Sequence, residues 1–395
     1  MKHQDLTQSI LSGIFIMISA NAIAAERNTD DQAFSSSVLI LNSYDNNILS
    51  DQNEIIEANI LLVAPEFVFS AESGTSSYEF IINGEIAKYD GRSEDNYEDA
   101  SLSAAADYEF TSRHRISLLA SYADRHDDRG NEFSQGLGEF LQEVDTFNQT
   151  DFSASYSFGR TATVGQIDFS IDSSDIDYDS RFFGGEDYTL GRDRSQITSS
   201  VQFLYTMTAK MALQANASHR ATSYDLQTGL DSSENSLHLG LTWQGTSTIS
   251  GSALVGYTDR TSDSGLSDLN TSTWQVDLTW MPLTYSSLNF TTSKNNEETI
   301  GLGNFRIVTQ TGLSWNHQWK SRLSSSLSVQ FEDTDFDGTD VNQDTTSFQA
   351  SLDYQLSTWM NIQLSYTNTS RDTNSDLQLY NFDREIISIS FVFVI

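Results

Sequence analysis

Chemistry in this chain could rest on six histidines and two evenly spaced runs of aspartates; there is no cysteine. The histidines are His3, His114, His126, His219, His238 and His317, and no serine sits in a nucleophile motif of the G-x-S-x-G kind. Without cysteine there is no disulfide, thiol nucleophile or thiolate metal site. Asp333-x-Asp335-x-Asp337-Gly338 follows calcium-loop spacing, with Asp344 at the twelfth position. Such a loop usually ends in a bidentate glutamate and is flanked by helices, whereas the flanks here read as strands. A solvated acidic hairpin tip explains the same spacing, and also Asp175, Asp177 and Asp179. Asp333, Asp335, Asp337 and Asp344 therefore form only a weak metal candidate, and no catalytic residue or cofactor is expected.

The elements that must position these residues are set by the composition and the pattern. The chain has 395 residues, of which 38% are hydrophobic and 11% aromatic. Its 55 acidic and 21 basic residues give a formal charge of -34. Phosphates would be repelled by such a chain, which argues against nucleic acid as a partner. Disordered segments are poor in aromatics, whereas here they recur at regular places. Residues 1–25 read as a secretory signal peptide: Lys2 near the start, an apolar run from Ile10 to Ala20, and the small-x-small pattern Ala22-Ile23-Ala24. That run is shorter than the roughly 20 residues of a membrane-spanning helix. Residues 26–35 read as a short periplasmic segment.

From Ser36 to the end, apolar and polar residues alternate with period two. In the last strand Ile387, Ile389, Phe391, Phe393 and Ile395 share one face, and Arg384, Ser388 and Ser390 the other. Phe348, Ala350, Leu352 and Tyr354 alternate with Gln349, Ser351 and Asp353, and Trp274, Val276, Leu278 and Trp280 with Gln275, Asp277 and Thr279. This is the strand signal. Short turns centre near Gly74, Ser112, Arg160, Thr208, Gly245, Pro282, Trp319 and Thr358. Between them, long loops run near 45–54, 90–97, 124–146, 172–192, 225–233, 259–272, 294–304, 333–344 and 368–381. Most acidic residues fall in or beside the long loops, and Arg113, Arg115, Arg160, Lys210, Lys320 and Arg322 lie at the short turns.

Alternating short and long connections, with an apolar face on every strand, describe a transmembrane outer-membrane barrel rather than a soluble sandwich or solenoid. The count predicts an all-β, antiparallel barrel of about 18 strands over residues 36–395, with 16 as the next choice. Short turns face the periplasm and long acidic loops the exterior. Trp243, Trp280, Trp315, Trp319 and Trp359 lie near short turns, as an aromatic girdle requires. The location implied is the outer membrane of a Gram-negative bacterium, in contact with its lipid and lipopolysaccharide.

Barrels of this size leave an aqueous channel. The alternation assigns Glu85, Asp107, Glu109, Asp168, Arg220, Asp277, Arg306, Glu332, Asp353 and Arg384 to the lumen, among many Ser, Thr, Asn and Gln. A channel is the leading reading. A barrel enzyme such as a phospholipase or protease, and an adhesive or structural barrel acting through its loops, are the alternatives from other classes.

Ser43-Tyr44-Asp45-Asn46-Asn47-Ile48 resembles the opening Tyr-x-Asp-Asn-Ile signature of the outer-membrane β-barrel porins found with exopolysaccharide loci. Lys88-Tyr89-Asp90 through Tyr97-Glu98-Asp99, Arg113-His114-Arg115, and the stretch from Ala120-Ser121-Tyr122 to Arg129-Gly130 are similar to the same family's next hairpins. The resemblance covers nearly the whole mature chain and is diffuse beyond residue 130. It implies an outer-membrane exit for a secreted polysaccharide, working with a periplasmic polysaccharide-export protein of the Wza-like class. A general diffusion porin is the alternative.

Overall fold

Eighteen antiparallel strands join into one closed ring in the computed structural model, which describes residues 34–53, 55–160, 164–244, 248–263, 268–374 and 380–395. The signal-peptide reading, most of the 26–35 segment and the turn at Gly245 lie outside the described residues. The strands are β1 (Phe34–Asp45), β2 (Ala58–Ser73), β3 (Ser76–Tyr89), β4 (Tyr97–Thr111), β5 (His114–Asp127), β6 (Asp145–Phe158) and β7 (Gly165–Tyr178). A two-strand hairpin of β8 (Phe182–Phe183) and β9 (Glu186–Asp187) interrupts the series. The ring continues with β10 (Arg194–Thr208), β11 (Met211–Tyr224), β12 (Ser232–Gln244), β13 (Ile249–Ser262), β14 (Leu269–Leu283) and β15 (Ser286–Glu298). β16 (Phe305–Lys320), β17 (Leu323–Phe336), β18 (Asn342–Ser357), β19 (Met360–Thr373) and β20 (Phe382–Val394) complete it.

Each strand pairs with its neighbours in sequence, β7 with β10 across the small hairpin, and β1 with β20 to close the barrel. Nine residue pairs, from Ser37↔Val394 to Asp45↔Ile386, make the closing ladder. Period-two side chains then fall on two faces. Leu352, Ile387, Val255, Phe203 and Leu239 are exposed on the outside, where lipid replaces water. Trp280, Trp319 and Trp359 are also exposed near the short turns, and His317 packs between Trp319 (ring centroids 4.2 Å) and Trp315 (5.4 Å) in the same belt.

The long connections are shorter than the charge pattern suggests. The strands run 12 to 16 residues, beyond the 9–11 or so that cross the hydrocarbon. β7 continues through Asp175 and Asp177, and β17 through Asp333 and Asp335. Pro282 lies inside β14, with its turn at Thr284-Tyr285. Outside the bilayer both faces of a strand are wet, so acidic residues no longer mark where the ladder ends.

One ladder is incomplete. β14 pairs with β15 only from Trp274↔Lys294 inward to the turn. β15 and β16 stay paired out to Glu298↔Phe305, and β13 holds β14 out to Arg260↔Leu269. The outer end of the β15–β16 hairpin has therefore left β14.

The two faces can be tested with one charge on each. Leu352→Arg places a guanidinium in lipid and should cost about 2–4 kcal/mol near the midplane, seen as loss of the heat-modifiable folded band in detergent. Gln349→Arg on the inner wall should fold normally, and equal behaviour of the two variants would refute the facing.

Candidate functional site at the outer mouth

The closing seam is clasped at its outer end. Asp45, fully buried on β1, accepts a hydrogen bond from Arg384 Nε of β20 at 2.8 Å. Asn46 Oδ1 accepts from the Glu385 backbone N–H at 2.7 Å, and Asn47 Nδ2 donates to the Asp383 carbonyl at 2.9 Å. Ile48 and Leu49 then bury against Ala58, Ile60 and Ala87 on the inner wall. The segment 46–57, through its described residues 46–53 and 55–57, thus folds inward, and each polar residue of the Asp-Asn-Asn run has a mechanical task.

The β5–β6 loop, 128–144, crosses the lumen. Arg129 anchors its start with two bonds to Asp95, Nε at 2.7 Å and Nη2 at 2.8 Å, and one to the Leu141 carbonyl at 2.6 Å. Asp128 accepts from His126 Nε2 at 3.2 Å. Burial alone would raise the Asp128 pKa, but the His126 bond and the charges of His126 and Arg384 lower it below the usual carboxylate range. Gly130 packs directly on the 46–57 segment: its φ is +82°, and an added Cβ would lie 1.9 Å from the Leu49 carbonyl oxygen. Beyond Gly130 the loop reaches the far wall. Phe133 sits under Arg192, 4.4 Å from guanidinium to ring centre, and against Gly301 of the β15–β16 connection. Gln135 meets Gln343 of β18 at 3.5 Å. β16 lies half the ring away from β5, so the loop bridges opposite walls.

The displaced β15–β16 tip is the third inward element. Glu298 accepts a bidentate pair from Arg260 of β13, at 2.9 and 3.0 Å, and further bonds from Thr222 and Tyr224 of β11. Asn296 donates to Glu234 of β12 at 3.1 Å, and Phe305 is fully buried beneath Arg260. These bonds to β11–β13 are the reason the tip departs from β14.

Glu132 occupies the turn of the crossing loop. It is half-buried, and its φ of +44° is unusual for a residue other than glycine; such a conformation costs of order 1–3 kcal/mol and persists where the surroundings dictate it. Burial raises its pKa above the ordinary range, against the lowering charges of Arg306, Arg371 and Arg194 and with a further rise from Glu297. The mouth therefore sets one carboxylate on a loop against arginines on the wall.

Of the lumen residues read from the sequence, Arg306, Glu332, Arg220, Arg384 and Glu85 lie in the outer half. Arg306 pairs with Glu297 at 2.8 Å, Arg220 with Glu234 at 3.7 Å, and Glu85 accepts from Tyr97. Asp107, Glu109, Asp168, Asp277 and Asp353 belong to the inner half, where Ser117, Gln166, Gln275 and Gln363 donate to Asp107, Asp168, Asp277 and Asp353. Glu132 reads in the sequence only as one of the acids of the 124–146 loop, with Asp124, Asp127 and Asp128, and the period-two pattern does not set Phe133, Arg194, Arg260, Glu298 or Arg371 apart. The signal in the sequence was the apolar content of the crossing loop (Phe133, Leu137, Phe140, Leu141, Val144) beside three glycines, unusual for a solvated tip.

The calcium-like spacing does not build a metal site. Asp333 and Asp344 are cross-strand partners on the outer surface, and Asn342 Nδ2 bridges Asp333 and Asp335. Asp337 turns away to accept from Asn304 at 3.1 Å. Among the described residues no group of three or more His, Asp or Glu side chains is arranged to hold a metal ion. The histidine partners are Tyr156, Asp99, Asp128, Asn235 and Thr273, all on or beside the wall.

Gly130→Ala should free the crossing loop from the 46–57 segment, because both the positive φ and the close carbonyl oppose a methyl group, at a cost of about 1–3 kcal/mol. Proteolysis of intact cells should then cut within 128–144; protection equal to the parent would refute the docking. The raised pKa of Glu132 carries a sign. Below that raised range the carboxyl is neutral, the docked loop is better held, and this contribution fades as pH rises through it. As pH falls, Arg306, Arg371 and Arg194 keep their charge while Glu132 loses its own, with Glu297 and Asp127 nearby. The acid-rich outer loops should make the barrel prefer cations, and this preference in reversal-potential measurements should drop before the ordinary loop carboxylates titrate. A Glu132→Gln barrel should lack that early step, and an identical profile in both would count against it.

With this geometry in hand, comparison with known proteins gives the family. A comparison with curated proteins yields no match. Among solved structures, a BenF-like porin from Pseudomonas fluorescens Pf-5 superposes with a TM-score of 0.51 at 10% identity, covering 92% of this chain and 99% of that one. OccK2 (OpdF) of Pseudomonas aeruginosa gives 0.51 at 10% identity, with 92% and 98% covered. The siderophore receptor PirA of Acinetobacter baumannii gives 0.50 at 8%, with 92% and 81% covered. At these identities the likeness is one of fold, that of outer-membrane barrels. The family model described as "Putative beta-barrel porin 2" matches residues 33–393, and this chain, an outer-membrane barrel, belongs to that porin family.

Proposed function

We infer that the protein is a diffusion channel for small hydrophilic solutes across the outer membrane, with passage set where the 128–144 loop crosses the lumen. The observation that carries this reading is a closed eighteen-strand ring with a polar inner wall, spanned by a loop that holds Glu132 opposite arginines. An inward loop narrows a wide barrel while leaving its wall wet, and opposed charges across a narrow passage orient polar solutes. The porin family supports the reading.

Export of a polysaccharide with a periplasmic partner is the second reading. The resemblance around Ser43–Ile48 and the hydroxyl- and amide-rich wall favour it. A polymer would have to pass three inward elements, the 46–57 segment, the 128–144 loop and the β15–β16 tip, so small solutes come first.

The test is reconstitution. The purified barrel should give stepwise conductance in planar bilayers and swell liposomes at rates that fall with solute size; a folded barrel that conducts nothing would overturn the channel reading. Deletion of the gene, with polysaccharide measured at the cell surface and in the periplasm, decides the second reading: loss outside supports export, and unchanged surface polymer refutes it.

A further inference from the structure

Most arginines of the outer lumen are spoken for. Arg129, Arg192, Arg220, Arg260, Arg306 and Arg384 each have a carboxylate within 4.0 Å. Two are different: Arg194 of β10, whose Nη1 donates to the Arg192 carbonyl at 3.1 Å, and Arg371 of β19. The second has the more open fork. Its Nε donates to Thr345 of β18 at 3.3 Å, and its guanidinium lies over the Phe382 ring at 4.9 Å. No carboxylate of the described residues is within ion-pair distance of it. One edge of the fork is anchored and one face is stacked, which fixes the group while leaving its terminal nitrogens open. That is the arrangement in which arginine recognises a carboxylate bidentately.

The crossing loop is brought to this same patch. Gln135 meets Gln343, which neighbours Thr345 on the inner face of β18. The Gln135 N–H donates to the Glu132 carbonyl at 3.3 Å, so Glu132 is one tight turn from that contact. Its carboxylate has no ion-pair partner within 4.0 Å among the described residues, although Arg371 and Arg306 act on it through space. Glu332 of β17 lies on the same wall and accepts from Gln310 at 2.8 Å. An unpaired guanidinium thus shares one patch of the inner wall with two carboxylates: Glu332, Thr345 and Arg371 are successive cross-strand partners, and the crossing loop carries Glu132 towards them.

We propose that this patch is a binding site for a small carboxylate that also carries hydrogen-bond donors, the class that includes uronic acids and amino acids. The solute carboxylate takes the open fork of Arg371, and its hydroxyl or ammonium groups donate to Glu132 and Glu332. A carboxylate without donors leaves Glu132 facing a like charge, and a sugar without a carboxylate leaves Arg371 unpaired. The proposal rests on the channel reading and names the solute for it.

The experiment uses the full-length barrel in planar bilayers and measures block of the ion current by glucuronate, alanine, propionate and glucose at equal concentration. Glucuronate and alanine should each block about tenfold more strongly than propionate or glucose, the worth of one added charge-assisted bond. Arg371→Gln should remove that excess, Arg371→Lys should restore part of it, and Glu132→Gln should lower the alanine excess more than the glucuronate excess. The heat-modifiable band reports folding of each variant, and the wild-type comparison stands without them. A conducting barrel blocked equally by all four solutes, or an excess that survives in folded Arg371→Gln, overturns the site while leaving the channel intact. A barrel without conductance overturns the channel, and the site with it.

Discussion

A strand edge cannot be left open in lipid, because no water is there to satisfy its N–H and C=O groups. The whole structure depends on meeting that constraint at one place, the seam where the first strand meets the last. The nine-pair ladder between β1 and β20 does so in the membrane. At its outer end, where the ladder stops, side chains take over: Asp45 holds Arg384, and Asn46 and Asn47 grip the backbone of β20. Burying a charge pair without further bonds is costly. Here Asp45 also accepts from the Asn47 backbone N–H at 2.9 Å, so the pair sits inside a bonded network. The same short run then turns the chain inward and seats Ile48 and Leu49 on the wall. Closure of the barrel and closing of its mouth begin from one set of residues.

The constraint relaxes once the strands leave the bilayer, and the mouth is built from that freedom. In water an unpaired ladder is affordable when side chains supply other bonds. The outer end of β15 gives up β14 and gains Arg260, Thr222, Tyr224 and Glu234 through Glu298 and Asn296. The crossing loop is positioned by the same economy of small and charged residues. Gly130 allows the close approach to Leu49, Arg129 ties the loop to Asp95, and the Phe133–Arg192 stack meets the displaced tip. Each inward element rests on another, so the mouth behaves as one packed unit rather than as separate loops.

Charge is laid out in two layers that net charge conceals. The total of -34 reflects outward-facing and loop acids such as Asp333, Asp344 and Asp372, which are cross-strand neighbours on the outer surface. Like charges placed opposite each other destabilise a sheet, and they are tolerable there because water surrounds them. The lumen at the crossing loop instead holds both signs, with Arg306 and Arg371 near Glu132, Glu297 and Glu332. The field that draws ions to the mouth and the field that acts at the constriction are therefore set by different residues.

The barrel is legible in the local pattern of the chain. Strict alternation from Ser36 onward, and the regular exchange of short and long connections, predict about eighteen strands with one face in lipid, sixteen being the next choice, and the structure has eighteen. Alternation is a local property, since successive Cβ atoms point to opposite faces whatever the partner strand. It also assigns Arg220, Arg306, Glu332 and Arg384 to the inner face, and each of them lies within the ladder of its strand. Which of these residues share a patch of the mouth follows from the folded ring alone. Glu132 lies 239 positions from Arg371 in the chain, and they are brought together because one loop spans the ring and one hairpin tip folds in. No periodicity encodes such meetings. They depend on Gly130 fitting against a carbonyl and on Glu298 finding Arg260, contacts that exist only after the ring has closed.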